Sequence, residues 1–532
     1  MKKTILPIVV AVALAVGIVV GNLFAVRSGS WSVAPAAKFA PSDNKISDLL
    51  RLIDEVYVDS VRTDSITEAI LPLIVRQLDP HSAYIPAADL EAVNEQLEGS
   101  FSGIGVQFSL QNDTIYVVDV IAGGPSERAG LLDGDRIVEV NDTAFVGSSI
   151  NNEKVMKKLR GPKGTQVRLG VVRRNTPEML HFDITRGDIP VHSVDVAYMI
   201  TPTTGYISVN KFGVTTYNEF LTALAKLKKS NAENVVVDLR GNAGGYLDAA
   251  VNMLNEFLER GDLIVYVEGK AYPRTDSYAN GYGSCRNMGV AVLIDEFSGS
   301  ASEIFAGAIQ DNDRGTIVGR RSFGKGLVQN QMEFADGSAL RLTVARYYTP
   351  SGRCIQKPYE RGKQDDYEID LLNRYLHGEF FSQDSIHQTD TVVYRTKSGR
   401  EVHGGGGIMP DVFVPRDTVG YSAYFNRLVN GAHIYQFALR YSEQHRNELA
   451  KQKDWQSLAA YLDRQNLFDQ LVNYATAKGV KGSEKDKNTS RQQISRQLNS
   501  YIIRNLQGDN GFFPYINSFD ETVQRAVKQL TK

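Results

Sequence analysis

The chain has 532 residues, enough for several domains. Its 59 Lys and Arg against 61 Asp and Glu leave a net charge of −2, which argues against nucleic acid as the main partner because phosphate binding draws on a basic excess. Two cysteines, Cys285 and Cys354, and eight scattered histidines, with no Cys-x-x-Cys or His-Glu-x-x-His, argue against a zinc site and leave a single disulfide open.

Lys2 and Lys3 precede an uncharged, mostly apolar run from Thr4 to Val26. At about 1.5 Å per residue such a run can cross a bilayer core of about 30 Å, whereas a cleaved secretory signal has a shorter apolar region of about 7–15 residues. A retained membrane anchor over residues 1–27 is expected, with the two lysines on the cytoplasmic side and the body outside. Residues 28 to 43 are rich in Ser, Ala and Pro and read as a linker. Ile46, Leu49, Leu50, Ile53 and Val56 fall at helical spacing, and further helices are expected over Ser65–Leu78 and Ala87–Leu97. Asp79-Pro80-His81-Ser82 ends the second of these, and His81 reads as a turn residue. Linker and helices together make a region over 28–98.

Residues 99 to 190 read as a compact β-rich module. Strands are expected at Gly105–Leu110, Ile115–Val120, Arg136–Asn141, Gln166–Val172 and Met179–Thr185, with short helices at Pro125–Ala129 and Asn151–Leu159. With Gly-Gly-Pro-Ser-Glu-Arg-Ala-Gly-Leu-Leu-Asp-Gly-Asp-Arg-Ile before the third strand, this order resembles a PDZ domain. The resemblance implies that the loop Phe101-Ser102-Gly103-Ile104-Gly105 offers N–H groups to the carboxylate of a peptide, which then adds as a strand. Gly99-Ser100-Phe101-Ser102-Gly103 also fits the Gly-x-Ser-x-Gly elbow of α/β-hydrolases. That elbow needs a strand before it and a helix after it, and here the order is reversed.

From 191 to 415 strands alternate with helices, which implies an α/β core. Strands are expected at Thr204–Phe212, Val235–Leu239, Leu263–Val267, Val290–Ile294 and Thr316–Gly319, with helices over Tyr217–Lys229 and Leu247–Glu259. Ser300 lies in a small-residue turn between the fourth strand and a further helix. The turn Arg240-Gly241-Asn242-Ala243-Gly244-Gly245 opens the second helix. Two helix starts present unpaired N–H donors, so Gly245 and Ala301 are the expected oxyanion donors if the two turns converge. Gly244-Gly245 alone reads equally as a tight loop. Gly319-Arg-Arg-Ser-Phe-Gly-Lys325-Gly326 nearly fits a phosphate-binding loop, but Gly326 stands where a hydroxyl must hold magnesium, and Leu327–Phe334 alternates like a strand. The other reading makes Lys325 a general base, which needs a pKa of roughly 7–8 in place of about 10.4. Gln329 lies on the same strand face and reaches the lysine only if the chain bends at Gly326.

Leu78-Asp-Pro-His-Ser, Asp238-Leu-Arg-Gly-Asn-Ala-Gly-Gly245, Gly299-Ser-Ala-Ser-Glu-Ile304, Phe323-Gly-Lys-Gly-Leu-Val-Gln329, Tyr347-Tyr-Thr-Pro-Ser-Gly-Arg353 and Gly407-Ile-Met-Pro-Asp411 together resemble the carboxyl-terminal processing serine proteases of peptidase family S41. The resemblance runs from about Ile46 to Pro415. It implies a ClpP/crotonase-like α/β core with an inserted PDZ domain and flanking helical regions. It also implies Ser300 as nucleophile, Lys325 as base, Gln329 as its support, and Gly245 and Ala301 as oxyanion donors. Gly299 and Ala243 depart from the family's usual alanine and glycine, small for small. The implied activity is cleavage near the free carboxyl end of protein substrates, without metal or organic cofactor. The implied setting is the bacterial periplasm or cell envelope at the inner membrane, with a regulatory adaptor or self-association as further partners. The competing reading is a non-catalytic PDZ adaptor scaffold, which needs no Ser–Lys pair.

Residues 416 to 532 resemble the family weakly. Helices are expected over Tyr435–Glu448, Trp455–Gln465, Leu467–Ala477, Tyr501–Leu506 and Glu521–Leu530. The polar stretch 481–492 reads as a flexible loop, and Gly404–Gly407 as a mobile one. The tail would mediate assembly or cap the core, with extra packing helices the plainer reading.

Overall fold

Residues up to Leu71 form one unit and residues from Pro72 a second. The computed structural model describes residues 44–111, 113–173, 176–387 and 390–531. The apolar run Thr4–Val26 and the linker at 28–43 lie outside the described residues. Among those described, no helix is long and apolar enough to cross a membrane. In the first unit, helix α1 (Lys45–Val56) starts at Asn44, whose side chain accepts the Ile46 N–H at 3.0 Å, and it buries none of its residues. Helix α2 (Thr63–Val75) begins in this unit and carries Pro72.

The second unit continues with β1 (Ala83–Ile85), α3 (Ala87–Glu98) and β2 (Ser100–Gly103). Then comes the β-rich module: β3 (Val106–Gln111), β4 (Thr114–Val120), α4 (Pro125–Ala129), β5 (Arg136–Val140), β6 (Thr143–Ala144), α5 (Asn152–Leu159), β7 (Gln166–Val172) and β8 (Leu180–Thr185). Its antiparallel sheet runs in the order β3-β4-β5-β7-β8, so β3 is an outer strand. Alternate residues Ile115, Val117, Ile137, Leu169 and Val171 point into one core, closed by Val155 and Leu159 of α5. Strand β9 (Gly187–Pro190) pairs with β2 and joins the two ends of the module.

The core follows as β10 (Val194–Met199), β11 (Thr204–Val209), α6 (Thr216–Lys229), β12 (Asn234–Asp238) and α7 (Leu247–Asn255). It continues through β13 (Leu263–Glu268), β14 (Thr275–Tyr278), β15 (Gly289–Ile294), α8 (Ala301–Asp311), β16 (Thr316–Gly319), β17 (Leu327–Glu333) and β18 (Ala339–Tyr348). After α9 (Gln364–Glu368), α10 (Asp370–Leu376) and the hairpin β19 (Val393–Arg395) and β20 (Glu401–His403), strand β21 (Val412–Phe413) closes it. The main sheet has the order β10-β11-β12-β15-β16-β21 and is parallel except for β10. A parallel strand covered on both faces must be apolar throughout, and β12 is. Val235 and Val237 join the core that takes in residues of α6, α7 and α8, while Val236 joins Tyr206, Ala291, Leu293 and Val318 on the other face. A second sheet of order β1-β18-β13-β14, with β17 also on β18, carries the lysine-bearing segment.

Two expectations fail here. Gly404–Gly407 is pinned: Gly405 N–H donates to Cys354 O at 2.7 Å, Gly407 N–H to Ile355 O at 2.8 Å, and Arg321 Nη1 to Gly406 O at 3.2 Å. Residues 481–492 are no flexible loop. Most of them open a helix, because Ser483 caps it by accepting the Asp486 N–H at 3.1 Å, and Ser490 and Ile494 face inward from an otherwise polar surface. The tail is α11 (Ala423–Asn430), α12 (His433–Gln444), α13 (Arg446–Leu449), α14 (Trp455–Leu462), α15 (Leu467–Ala477), α16 (Glu484–Asn517) and α17 (Glu521–Leu530). Helix α16 absorbs the expected Tyr501–Leu506 helix and kinks at Gly508. Helices α11 to α16 share a core of their own, whereas Val523 and Ala526 of α17 bury against the second face of the main sheet. The two thiols are unpaired.

Candidate active site

The chain leaves β12 through a turn rooted at Arg240, whose guanidinium holds Asp238 by Nε at 2.9 Å and Nη2 at 2.6 Å. Asn242, fully buried, ties the turn down. Its amide donates to Val209 O at 2.8 Å, its side-chain oxygen accepts Gly244 N–H at 2.9 Å, and its carbonyl accepts Gly299 N–H at 3.0 Å and Ser302 Oγ–H at 2.8 Å. Two glycines are obligatory. A Cβ on Gly244 would stand 2.7 Å from Ser300 Cβ and 2.9 Å from Ala301 N, and one on Gly245 would stand 2.1 Å from Phe212 O. Their φ angles, 104° and 145°, also suit only glycine. The turn and the start of α8 therefore meet at van der Waals distance. Neither Gly245 N–H nor Ala301 N–H donates to another described group.

Ser300 itself sits just before α8 at φ 53°, ψ −114°, a conformation that a non-glycine residue holds only under constraint. The constraint is Glu303, fully buried three residues on. Its Oε2 accepts Ser300 N–H at 2.8 Å and Lys325 N–H at 2.9 Å, and its Oε1 accepts Gly324 N–H at 2.7 Å and Ser322 Oγ–H at 2.5 Å. One carboxylate oxygen thus holds the main chain of both expected catalytic residues. Burial pushes the Glu303 carboxyl upward, and the four hydrogen bonds oppose that. The Tyr347 hydroxyl adds a second clasp, donating to Ser300 O at 3.1 Å and to Lys325 O. Glu303 was not among the expected site residues, although Ser300-Ala-Ser-Glu303 carries the Ser-x-x-Glu pattern of a capping box.

Among the described residues no carboxylate forms an ion pair with Lys325. Burial, then the positive charge of Arg341, lowers its ammonium below the ordinary lysine range, while Glu303 and Asp79 pull it back up. Gln329 is on β17, which bulges between Val328 and Gln329, and its Nε2 donates to Thr343 Oγ1 at 3.4 Å. Thr343 donates in turn to Asp79 Oδ1 at 2.9 Å. Burial pushes Asp79 upward, but hydrogen bonds from Ser82, His81 and Thr343 outweigh it and hold the carboxyl below its usual value. His81 packs its ring nitrogen 2.8 Å from the Tyr367 hydroxyl, and burial, then the charge of Lys325, pushes it down to about 4.

A cavity of about 610 Å³ opens beside these groups. Ser300, Gly245 and Gln329 line it, with walls from Tyr217, Leu247 and Ile304. In the β-rich module the expected five-residue carboxylate loop is shorter than anticipated. Phe101, Ser102 and Gly103 are strand β2, paired with Ile189, Asp188 and Gly187, so only Ile104 and Gly105 remain as loop. The cause is main-chain pairing, which needs no apolar pattern and so left no mark in the sequence. The N–H groups of Ile104 and Gly105 donate to no other described group, and Ser102 Oγ is enclosed with no partner among the described residues. Arg160 lies over the Phe101 ring, 4.2 Å from its centroid.

Known serine proteases resemble this chain in sequence. A "Probable CtpA-like serine protease" of Staphylococcus aureus strain N315 is 35% identical over 329 residues, which are 62% of this chain and 64% of the relative. One of the same description from Staphylococcus epidermidis is 34% identical over 313 residues, 58% of this chain and 62% of the relative. The chain therefore spans just under two thirds of the length of these relatives. Among solved structures, the "photosystem II D1 C-terminal processing protease" is 24% identical, over 69% of this chain and 92% of that one, with a TM-score of 0.35. A putative S41 protease from Bacteroides fragilis is 16% identical, over 64% and 99%, with a TM-score of 0.38. Residues 424–508 match a family of unknown function. Residues 203–369, which contain the glycine turn, Ser300, Glu303 and Lys325, match the model of peptidase family S41, and residues 102–184 ahead of them match the PDZ domain.

Proposed function

We propose that this chain is a serine endopeptidase that grips the free carboxyl end of a protein in its PDZ module and cuts nearby with a Ser300–Lys325 pair. The observation that carries the reading is the Glu303 oxygen shared by the Ser300 and Lys325 N–H groups, because a scaffold without catalysis has no need to bring those two segments together. Lys325 accepts the Ser300 proton as Oγ bonds to the scissile carbonyl carbon. The N–H groups of Gly245 and Ala301, which donate to no other described group, receive the developing oxyanion. The C–N bond then breaks, the lysine returns its proton to the leaving amine, and a water that gives a proton to the same lysine releases the acyl group. A depressed lysine pKa suits this cycle, since the base must be neutral near working pH. Gln329 donates to Thr343, which donates to Asp79, and it is the Asp79 charge that acts on Lys325. In the PDZ module the free N–H groups of Ile104 and Gly105 suit a carboxylate, and the outer strand β3 suits the chain behind it. Lys2, Lys3 and the run Thr4–Val26 support an inner-membrane anchor with the body outside.

The test uses the full chain in detergent and one unstructured peptide with either a free or an amidated carboxyl end. Faster cutting of the free-ended peptide, with a folded but inert Lys325→Ala variant, is the expected result. Equal cutting of both peptides removes tail recognition, and full activity of Lys325→Ala removes the mechanism.

A further inference from the structure

Arg240, at the root of the glycine turn, joins two parts of the chain that are far apart in sequence. Two arms of its guanidinium are spent on Asp238 at the end of β12. The third, Nη1, donates to Asp520 Oδ2 at 2.7 Å. Asp520 is also the cap of α17, where its Oδ1 accepts the Val523 N–H at 3.1 Å. One carboxylate therefore serves a helix with one oxygen and the turn with the other. The pair is mostly covered: the side chains of Arg240, Asp238 and Asp520 are 21%, 7% and 25% exposed. A charge-assisted hydrogen bond in such a place is directional and strong. The family matches reported above end at residue 508, so Asp520 lies beyond all of them.

We propose that Asp520 is a positioning residue for the peptidase reaction: by holding the third arm of Arg240 it fixes the root of the turn that presents Gly245 N–H. The inference rests on the Ser–Lys reading given above. The turn is intrinsically soft, because Gly241, Gly244 and Gly245 all adopt positive φ and bring no side chains to pack. Asn242 secures its middle and Phe212 its end, while the root is shared between Arg240 and Asp295, which accepts the Gly241 N–H at 2.9 Å. A groove of about 750 Å³ lined by both Arg240 and Asp520 leaves Nη1 room to shift once Asp520 lets go, while Nε and Nη2 stay on Asp238. Because α17 is seated on the main sheet by Val523 and Ala526, Asp520 is a fixed point and transmits the seating of that helix to the oxyanion site.

Asp520→Asn is the informative variant. Asparagine caps helices as well as aspartate, so α17 keeps its start while Arg240 loses one of its two carboxylate partners and keeps Asp238. In the full chain, kcat per active site titrated with a fluorophosphonate should fall by about tenfold, with KM within about twofold, as for loss of geometry rather than of binding. The rate of Ser300 phosphonylation should fall in parallel. Arg240→Lys, which leaves Asp520 capping α17, should have the same effect, and the double variant should lose no more than either single one. It serves alone if Asp520→Asn does not fold. A lowered melting temperature with unchanged kcat per titrated site means that Asp520 only seats α17 and overturns the inference. Lys325→Ala in the same assay separates the two ideas. If it is inert while Asp520→Asn is fully active, only the positioning role fails. If it is active, the Ser–Lys reading fails and takes the inference with it.

Discussion

Glu303→Gln isolates the carboxylate on which the site is strung. The wild-type group accepts four hydrogen bonds in a fully buried position, two on each oxygen. Glutamine keeps one oxygen and replaces the other with an NH₂, so one pair of donors must face a donor. If the NH₂ turns to Ser300 and Lys325, two main-chain N–H groups are stranded. If it turns the other way, the Ser322 hydroxyl can rotate to accept, and only the Gly324 N–H is stranded. The second orientation is the cheaper, and one buried N–H without a partner costs about 1–3 kcal/mol. At about 2–4 °C per kcal/mol, a midpoint cost of about 2 kcal/mol lowers the melting temperature by about 4–8 °C. The rotation also disturbs the Ser322 Oγ that accepts Ile408 N–H at 2.6 Å, and with it the segment leading to Lys325. We expect kcat to fall by about 10- to 100-fold, since displacements of about 1 Å in a catalytic group cost up to that much. Differential scanning calorimetry and peptide turnover, measured on the same preparation, decide it. A Glu303→Gln protein with wild-type melting temperature and wild-type kcat would refute the argument that this carboxylate holds Ser300 and Lys325 together.

Lys325→Met should abolish cleavage and yet raise the melting temperature at pH 7. The charged lysine is disfavoured in the fold, so its penalty is complete below the folded pKa and vanishes as pH rises past the ordinary value of about 10.4. The stabilisation by methionine should accordingly fade towards alkaline pH, and a gain that grows with pH contradicts the assignment. Gly245→Ala places a methyl 2.1 Å from Phe212 O at a strained φ, and should cost several degrees of melting temperature and more than about 100-fold in kcat. A normal kcat in this variant is incompatible with an oxyanion role for the Gly245 N–H. His81 is lowered from 6.5 to about 4, so the unfolded chain binds a proton that the folded one refuses. Stability should drop by on the order of 2–3 kcal/mol as pH falls through that window, and His81→Gln should flatten the slope in chemical denaturation. Equal slopes for both proteins would show that His81 titrates normally.

What could be read in the sequence was what burial or repetition writes there. Val235-Val236-Val237 announced a strand covered on both faces, and it lies in the middle of the main sheet with both faces covered. The positions of Ser300 and Lys325 followed from turn and strand patterns together with the family resemblance. Interactions carried by single polar atoms were much harder to see. The four-way role of Glu303 depends on two loops folding over one carboxylate, although its Ser-x-x-Glu spacing was in view. The bulge at Val328 and the β2–β9 pairing are main-chain events with no characteristic residues. Residues 481–492 read as loop because charge was taken for disorder, while most of them form the solvated start of a helix that Ser483 caps and whose later turns bury Ile494, Leu498 and Ile502. The ion pair of Arg240 with Asp520 spans 280 positions, and no local pattern could join its ends.

Strand β3 stands at the edge of its sheet, and the consequence concerns clients more than chemistry. An open edge offers main-chain donors and acceptors, which every polypeptide possesses in the same spacing. A tail bound there is chosen chiefly for being available. On the reading proposed above it is unfolded over the length of the six-residue strand, with Ile104 and Gly105 at one end. Side chains then adjust affinity without granting or refusing entry. A peptidase built on this edge would act as a gauge of foldedness, sparing a protein whose end is tucked into its own structure and taking the same protein once that end frays.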